Sequence, residues 1–132
     1  MEKLFATYEP SKLMKEIGFV EPCLGYFVES SKELRLIEGE LFSNNSYSGT
    51  NDFLFTAPLY QQVIDWFREK HKLNAYVEYC NWNGVDEAWW EYTINIMDKD
   101  GENIFSEKYF NHQECSDDLI LKLIETVKEK NK

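Results

Sequence analysis

The stretch Thr56–Tyr79, TAPLYQQVIDWFREKHKLNAYVEY, decides the fold, because it predicts an amphipathic helix that leads directly into a strand. At about 100° per residue, its large apolar side chains fall on one face of a helix and its charged ones on the other. Pro58 suits the first turn, where a missing N–H costs no hydrogen bond, and Thr56 or Ala57 is the predicted N-cap. Such a helix packs on a sheet, and Asn74–Cys80 is the predicted strand that follows it.

The other elements follow from periodicity and from turn residues. In chain order, the sequence predicts a helix over Tyr8–Ile17 that Gly18 ends, strands over Leu24–Glu29 and Glu33–Glu38, a polar connection over Gly39–Phe55, strands over Ala88–Met97 and Asn103–Lys108, and a helix capped by Ser116. The order α-ββ-α-βββ-α, with short connections between strands, predicts an α+β fold. We expect one domain over residues 1–132, with an antiparallel sheet of about five strands and the helices on one face.

Charge limits the possible partners of this chain. It has 132 residues and a net charge of −10, with 24 acidic residues against 14 basic ones, so we expect no direct binding to nucleic acid or to an anionic membrane. Between Lys72 and Lys99 there are five acidic residues and no basic one, which gives this segment half of the net charge. The N-terminus lacks the pattern of a signal peptide, and no apolar run is long enough for a membrane span. The sequence therefore predicts a cytoplasmic protein and leaves its oligomeric state open.

Cysteine and histidine give weak signals for chemistry. Cys23, Cys80 and Cys115 are odd in number and widely spaced, which is typical of reduced thiols. His112 lies three residues before Cys115, but zinc takes four ligands. The stretch Asp98–Glu102 is similar to the start of a calcium loop, but the predicted flanks are strands and not helices. We expect no metal and no cofactor, and an enzyme that uses Cys23 with a histidine stays open as an alternative.

An aromatic and acidic segment is the candidate for binding. Two of its tryptophans fall off the predicted core face and lie close in sequence to three carboxylates, and aromatic side chains dominate binding surfaces. The predicted contact residues, for a basic protein partner, are Trp82, Asp86, Glu87, Trp89 and Glu91. The open alternative is that both rings pack beneath the polar connection that precedes the central helix, because tryptophan is usually well buried.

Short pieces within about the first eighty residues resemble a family. They are Thr7-Tyr8-Glu9, Lys15-Glu16-Ile17-Gly18-Phe19, Glu21-Pro22-Cys23, Ser46-Tyr47-Ser48, Ala57-Pro58-Leu59-Tyr60-Gln61-Gln62 and Trp66-Phe67-Arg68-Glu69-Lys70. The chain resembles small uncharacterised proteins that phages and integrated mobile elements of gut anaerobic bacteria encode. The resemblance implies a mobile-element protein of the bacterial cytoplasm, and it brings no known activity and no catalytic residue.

Two functional hypotheses follow besides the Cys23 enzyme. The first is a non-enzymatic accessory protein that acts by binding another protein through the acidic segment. The second is an acidic mimic of DNA that inhibits a nucleic-acid-binding protein, which requires carboxylates spaced along a ridge like phosphates.

Overall fold

The computed structural model describes residues 2–36, 41, 43–44, 54–81, 88–98 and 102–130. Within these residues the chain is α+β, with three α-helices and two three-stranded antiparallel sheets. The chain forms two compact units, Met1–Tyr60 and Gln61–Lys132, and each contains one of the sheets. The α+β prediction is confirmed. The predicted sheet of about five strands is corrected to two sheets with six strands among the described residues.

The first unit contains a short 3-10 helix (Glu2–Leu4), helix α1 (Tyr8–Glu16) and strands β1 (Gly25–Val28), β2 (Leu34–Leu36) and β3 (Leu54–Ala57). Strand β1 lies in the middle of the sheet and is antiparallel to both β2 and β3. Helix α1 ends as the sequence predicts. Its C-cap is Ile17, and Gly18 follows with φ +94°, a left-handed conformation that glycine adopts without a Cβ penalty.

Strand β3 corrects the predicted start of the central helix. Thr56 and Ala57, the predicted caps, belong to β3 and pair with Tyr26 and Gly25 of β1. The central helix, α2, runs over Tyr60–His71 and so begins after Pro58. Over the described ranges, the order of α-helices and strands is therefore α-βββ-α-βββ-α. The physical reason is that Phe55 and Ala57 are buried against β1, so tertiary pairing outweighs the local capping signal.

Aromatic rings build the core of the first unit. Phe5, Phe27, Phe55 and Ala57 form its buried cluster, and Tyr8 packs against them. The Tyr8 ring lies edge-on to Phe55, with centroids 5.2 Å apart, and Phe27 lies 5.7 Å from Phe55. Burial of each such side chain contributes about 1.5–3 kcal/mol. This unit therefore has an apolar core of its own.

The second unit contains α2 from Gln61 onward, strands β4 (Leu73–Asn81), β5 (Ala88–Ile96) and β6 (Asn103–Phe105), and helix α3 (His112–Lys130). The strand order is β4-β5-β6, and α3 packs against β5 and β4. The predicted stripe of α2 is confirmed by burial, since Val63 and Phe67 are fully buried and Trp66 is 6% exposed. Among the described residues, none of the helices is both long enough and apolar enough to cross a membrane.

Helix α3 begins four residues before its predicted cap. Asn111 is the N-cap, because its Oδ1 accepts a hydrogen bond from the Glu114 backbone N–H at 3.1 Å. Ser116, the predicted cap, lies inside the helix and is 4% exposed. The apolar stripe of α3 is buried and consists of Leu119, Ile120, Leu123, Ile124 and Val127.

Candidate binding surface

The register of the second sheet brings two acidic residues side by side. Strands β4 and β5 pair over nine residues, with Glu78 opposite Glu91 and Cys80 opposite Trp89. Directly opposite residues of an antiparallel pair place their side chains on the same face of the sheet. These four side chains therefore share one face, which we call the acidic face.

Strand β6 departs from regular pairing just after its last residue. The Ser106 N–H donates to the Tyr92 carbonyl at 3.0 Å, and the Tyr109 N–H donates to the Trp90 carbonyl at 2.8 Å. One residue of β5 therefore stands opposite two residues of the returning chain, which is a β-bulge. The Ser106 hydroxyl takes the place of the missing backbone acceptor, because the Tyr92 N–H donates to its Oγ at 2.8 Å.

The bulge aims Lys108 at Trp89. The Lys108 Nζ lies 4.2 Å from the centroid of the Trp89 ring, within the range of a cation–π interaction. The Trp89 indole N–H donates to Glu91 Oε1 at 2.7 Å. Trp89 and Trp90 are neighbours in β5, so their side chains lie on opposite faces of the sheet, as the period of two predicts. The Trp89 side chain is nevertheless buried, since Trp89 is only 7% exposed. Its role in binding a partner stays a prediction.

Carboxylates set the electrostatics of the acidic face. Glu78 and Glu91 lie directly opposite each other, and like charges in that position repel. Burial raises the pKa of the Cys80 thiol, and the negative charges of Glu91 and then Glu78 raise it further. A thiolate is the nucleophilic form of cysteine, so this environment opposes thiol chemistry at neutral pH.

Aromatic rings meet on the other face of the same end of the sheet. The Trp90 ring lies edge-on to Tyr79 of β4, with centroids 4.9 Å apart, and edge-on to His112 of α3 at 4.6 Å. Tyr79 is 56% exposed. An exposed aromatic ring on a rigid strand supplies contact area at a small cost in conformational entropy. This end of the sheet thus offers charge on one face and aromatic surface on the other.

Protonated groups surround the first turns of α3. Burial raises the pKa of Cys115 to about 12, and the Asp118 carboxylate adds to the effect. Burial also raises the pKa of Tyr109, whose hydroxyl forms a hydrogen bond with Asp118. The Tyr109 ring stacks on Tyr92, with centroids 6.2 Å apart. At neutral pH these groups hold their protons, which suits packing and not acid–base catalysis.

The other predicted sites are placed as follows. Cys23 is buried, with 1% exposed, and its thiol donates to the Glu21 carbonyl at 3.4 Å, so a substrate reaches it only if the chain opens locally. Asp98 follows β5 and accepts a hydrogen bond from Lys130 Nζ at 3.0 Å. Strands β5 and β6 flank the stretch after Asp98, in place of the two helices of a calcium-binding hand. Within the described ranges, no three His, Cys, Asp or Glu side chains come together as a metal would require.

Trp82, Asp86 and Glu87 lie outside the described residues, so of the predicted contact residues only Trp89 and Glu91 can be placed. The structure adds Glu78, Tyr79 and Lys108 to this region. The position of Glu78 could be predicted from the strand register, because pairing of Asn81 with Ala88 places Glu78 opposite Glu91. The position of Lys108 could not be predicted from the register, because it depends on the bulge.

Comparisons with protein-family models, with curated proteins and with solved structures find no match to this chain.

Proposed function

We propose that this chain acts by binding another protein, and that it does so with the end of the second sheet around Glu78 and Glu91. The observation that carries the proposal is the direct opposition of these two carboxylates on one face of the sheet, with the exposed ring of Tyr79 on the other face of the same strand. A basic side chain of a partner would relieve the repulsion between the carboxylates, while the ring supplies apolar contact. The partner is accordingly a protein with a basic surface.

The state of the thiols supports binding over catalysis. Burial raises the pKa of both Cys80 and Cys115, and Cys23 is buried. An enzyme that uses Cys23 with a histidine is the alternative, and it requires access to a thiol that is 1% exposed.

The resemblance of the first eighty or so residues to mobile-element proteins extends the proposal to a biological setting. In that setting the chain is an accessory protein of a mobile element, and its partner is a protein of the same bacterial cytoplasm.

The test is capture of a partner by tagged protein from the organism that carries the gene, at increasing salt concentration. We expect capture to weaken with salt, because screening reduces attraction between exposed charges. The double substitution Glu78→Gln and Glu91→Gln should weaken it at low salt. The matched control is Glu114→Gln with Glu129→Gln on α3, which removes the same charge from exposed positions.

Equal capture by the two double variants would refute the proposed surface. A captured nucleic-acid-binding protein that duplex DNA displaces would instead support the DNA-mimic hypothesis. Capture that is lost only when Cys23 is replaced by Ser would support the enzyme.

A further inference from the structure

Strand β4 forms one edge of the second sheet. The strand register shows which of its residues direct their backbone N–H and C=O groups toward β5 and which direct them outward. On β5, the backbone groups of Trp90, Tyr92 and Ile96 bond to the chain around β6. In an antiparallel strand, alternate residues direct both backbone groups to the same side. The intervening residues of β5 therefore bond to β4, and on β4 their partners are Asn74, Tyr76, Glu78 and Cys80. The residues between these partners direct N–H and C=O to the outer edge.

With respect to the described part of the chain, the outer edge is open at Val77 and Tyr79. Among the described residues, no backbone hydrogen bond reaches the outward N–H or C=O of either residue. Tyr79 is 56% exposed, and Val77 is half-buried. Strand β4 runs for nine residues, LNAYVEYCN, in which Glu78 is the one charged side chain, and it lacks the lysine and proline that most often protect such edges. An unprotected edge of this kind pairs with an extended segment of another chain.

Charge decides which segment fits. A strand added beside β4 alternates its side chains between the two faces, so every second one lies beside Glu78 on the acidic face. Lys108 also lies on this face and offsets only one of the two carboxylates, Glu78 and Glu91. The intervening side chains of the added strand lie beside Tyr79, on the face with the aromatic rings. A second copy of this chain is a poor occupant, since it adds another Glu78 and a net charge of −10.

We infer that the outer edge of β4 binds an extended basic segment of the partner protein, in which lysine or arginine alternates with apolar residues. The inference rests on the proposed function and specifies how the partner binds. Backbone hydrogen bonds to Val77 and Tyr79 supply general affinity, and the alternating side chains supply selectivity.

The probe is a short capped peptide in which lysine alternates with valine, added to the full chain. We expect the peptide to slow amide hydrogen exchange at Val77 and Tyr79, because their N–H groups point outward. Glu78→Gln should weaken binding about twofold to fivefold, the range expected for one exposed ion pair. Glu129→Gln is its matched control. A peptide with glutamate in place of lysine should not bind.

The backbone test uses two changes. A fully N-methylated peptide of the same sequence keeps its side-chain charges but loses its backbone N–H donors, so we expect it not to bind. Tyr79→Pro removes the outward N–H, whereas Tyr79→Val removes the same ring and keeps that N–H. We expect Tyr79→Val to weaken binding, because it removes the ring contact, and Tyr79→Pro to abolish it, because it also removes the N–H. If the proline variant does not fold, amide exchange on the unmodified chain is the deciding measurement.

Equal binding of the N-methylated peptide, or unprotected Val77 and Tyr79 amides in the bound state, would overturn the edge inference. Partner capture that still depends on Glu78 and Glu91 would leave the proposed function standing in that case. If partner capture does not depend on these two carboxylates, the proposed function is refuted, whatever the peptide experiments show. Protection of the same amides by self-association, without peptide, would show that a second copy is the occupant and would overturn the basic segment.

Discussion

Asn44 is the residue whose replacement tests the fold of the first unit most sharply. Its side chain is 7% exposed and bridges two separate backbone groups. Its Nδ2 donates to the Phe19 carbonyl at 2.7 Å, and its Oδ1 accepts from the Thr56 N–H at 3.0 Å. One amide therefore joins the segment after α1 to the edge strand β3. We predict that Asn44→Ala destabilises this unit strongly.

The expected loss of stability follows from these two hydrogen bonds. Removal of a partner that leaves a buried backbone group unsatisfied costs about 1–3 kcal/mol. Asn44→Ala leaves the buried Thr56 N–H unsatisfied and also removes the bond to the Phe19 carbonyl, so we expect a loss of at least about 1–3 kcal/mol in the free energy of unfolding. Whole domains are stable by only about 5–15 kcal/mol, so the loss is easily measured. Asn103→Ala, at an exposed position, is the control for a change of asparagine to alanine.

Urea unfolding gives the free energy, and amide exchange at Thr56 reports the bond directly. Asn44→Asp adds a second test. A protonated carboxyl can donate to the Phe19 carbonyl and still accept from Thr56, whereas a carboxylate cannot donate. Burial would raise the folded-state pKa of the introduced acid above its unfolded value of about 3.9. Its stabilising contribution is therefore complete below about pH 3.9 and is lost as pH rises through the folded-state pKa. If Asn44→Ala changes neither the unfolding free energy nor the exchange of Thr56, the bridge is not structural.

Three further predictions concern stability. Thr56→Val should raise the free energy of unfolding by about 1 kcal/mol, because Thr56 Oγ1 is buried without a hydrogen-bond partner among the described residues; a lower melting temperature would contradict this. Phe67→Ala should cost about 3–5 kcal/mol in urea unfolding, because Phe67 is fully buried, and a loss below 1 kcal/mol would count against its place in a core. Burial, then Lys130 and Lys70, lower the pKa of His71 from 6.5, so the unfolded chain binds that proton more readily. Stability should thus be complete above about pH 6.5 and fall as pH drops through the folded-state pKa, and His71→Gln should flatten this slope in unfolding measured from pH 5 to 8.

Sequence patterns predict correctly those helices and strands whose ends depend only on residues nearby in the chain. Gly18 ends α1 as predicted, because a left-handed glycine after a helix needs no tertiary partner. Strand β5 was predicted within a residue, since its alternation spans nine positions. Strand β3 escaped prediction because it has only four residues, precedes a proline and pairs with β1 far back in the chain. Its local sequence favours a helix cap, and only the pairing reverses that preference.

The start of α3 illustrates the same limit. Ser116 is a good cap residue, and the acidic residues that follow it favour a helix start at this position on local grounds. The structure selects Asn111 because Tyr109 still bridges to Trp90, so the chain leaves the sheet and enters the helix almost at once. The start of this helix therefore depends on where the preceding strand pairing ends, which the residues around the cap do not determine.

The candidate binding surface was predictable to the extent that it depends on hairpin register. Once Asn81 is paired with Ala88, the opposition of Glu78 and Glu91 follows by counting. The bulge that brings Lys108 over Trp89 does not follow, because it rests on one serine hydroxyl replacing a backbone acceptor. The same bulge has a functional consequence. It gives the acidic face one cation for two carboxylates, so this face keeps a net negative charge beside the edge of β4. That combination is the reason why we propose a basic extended segment as the partner.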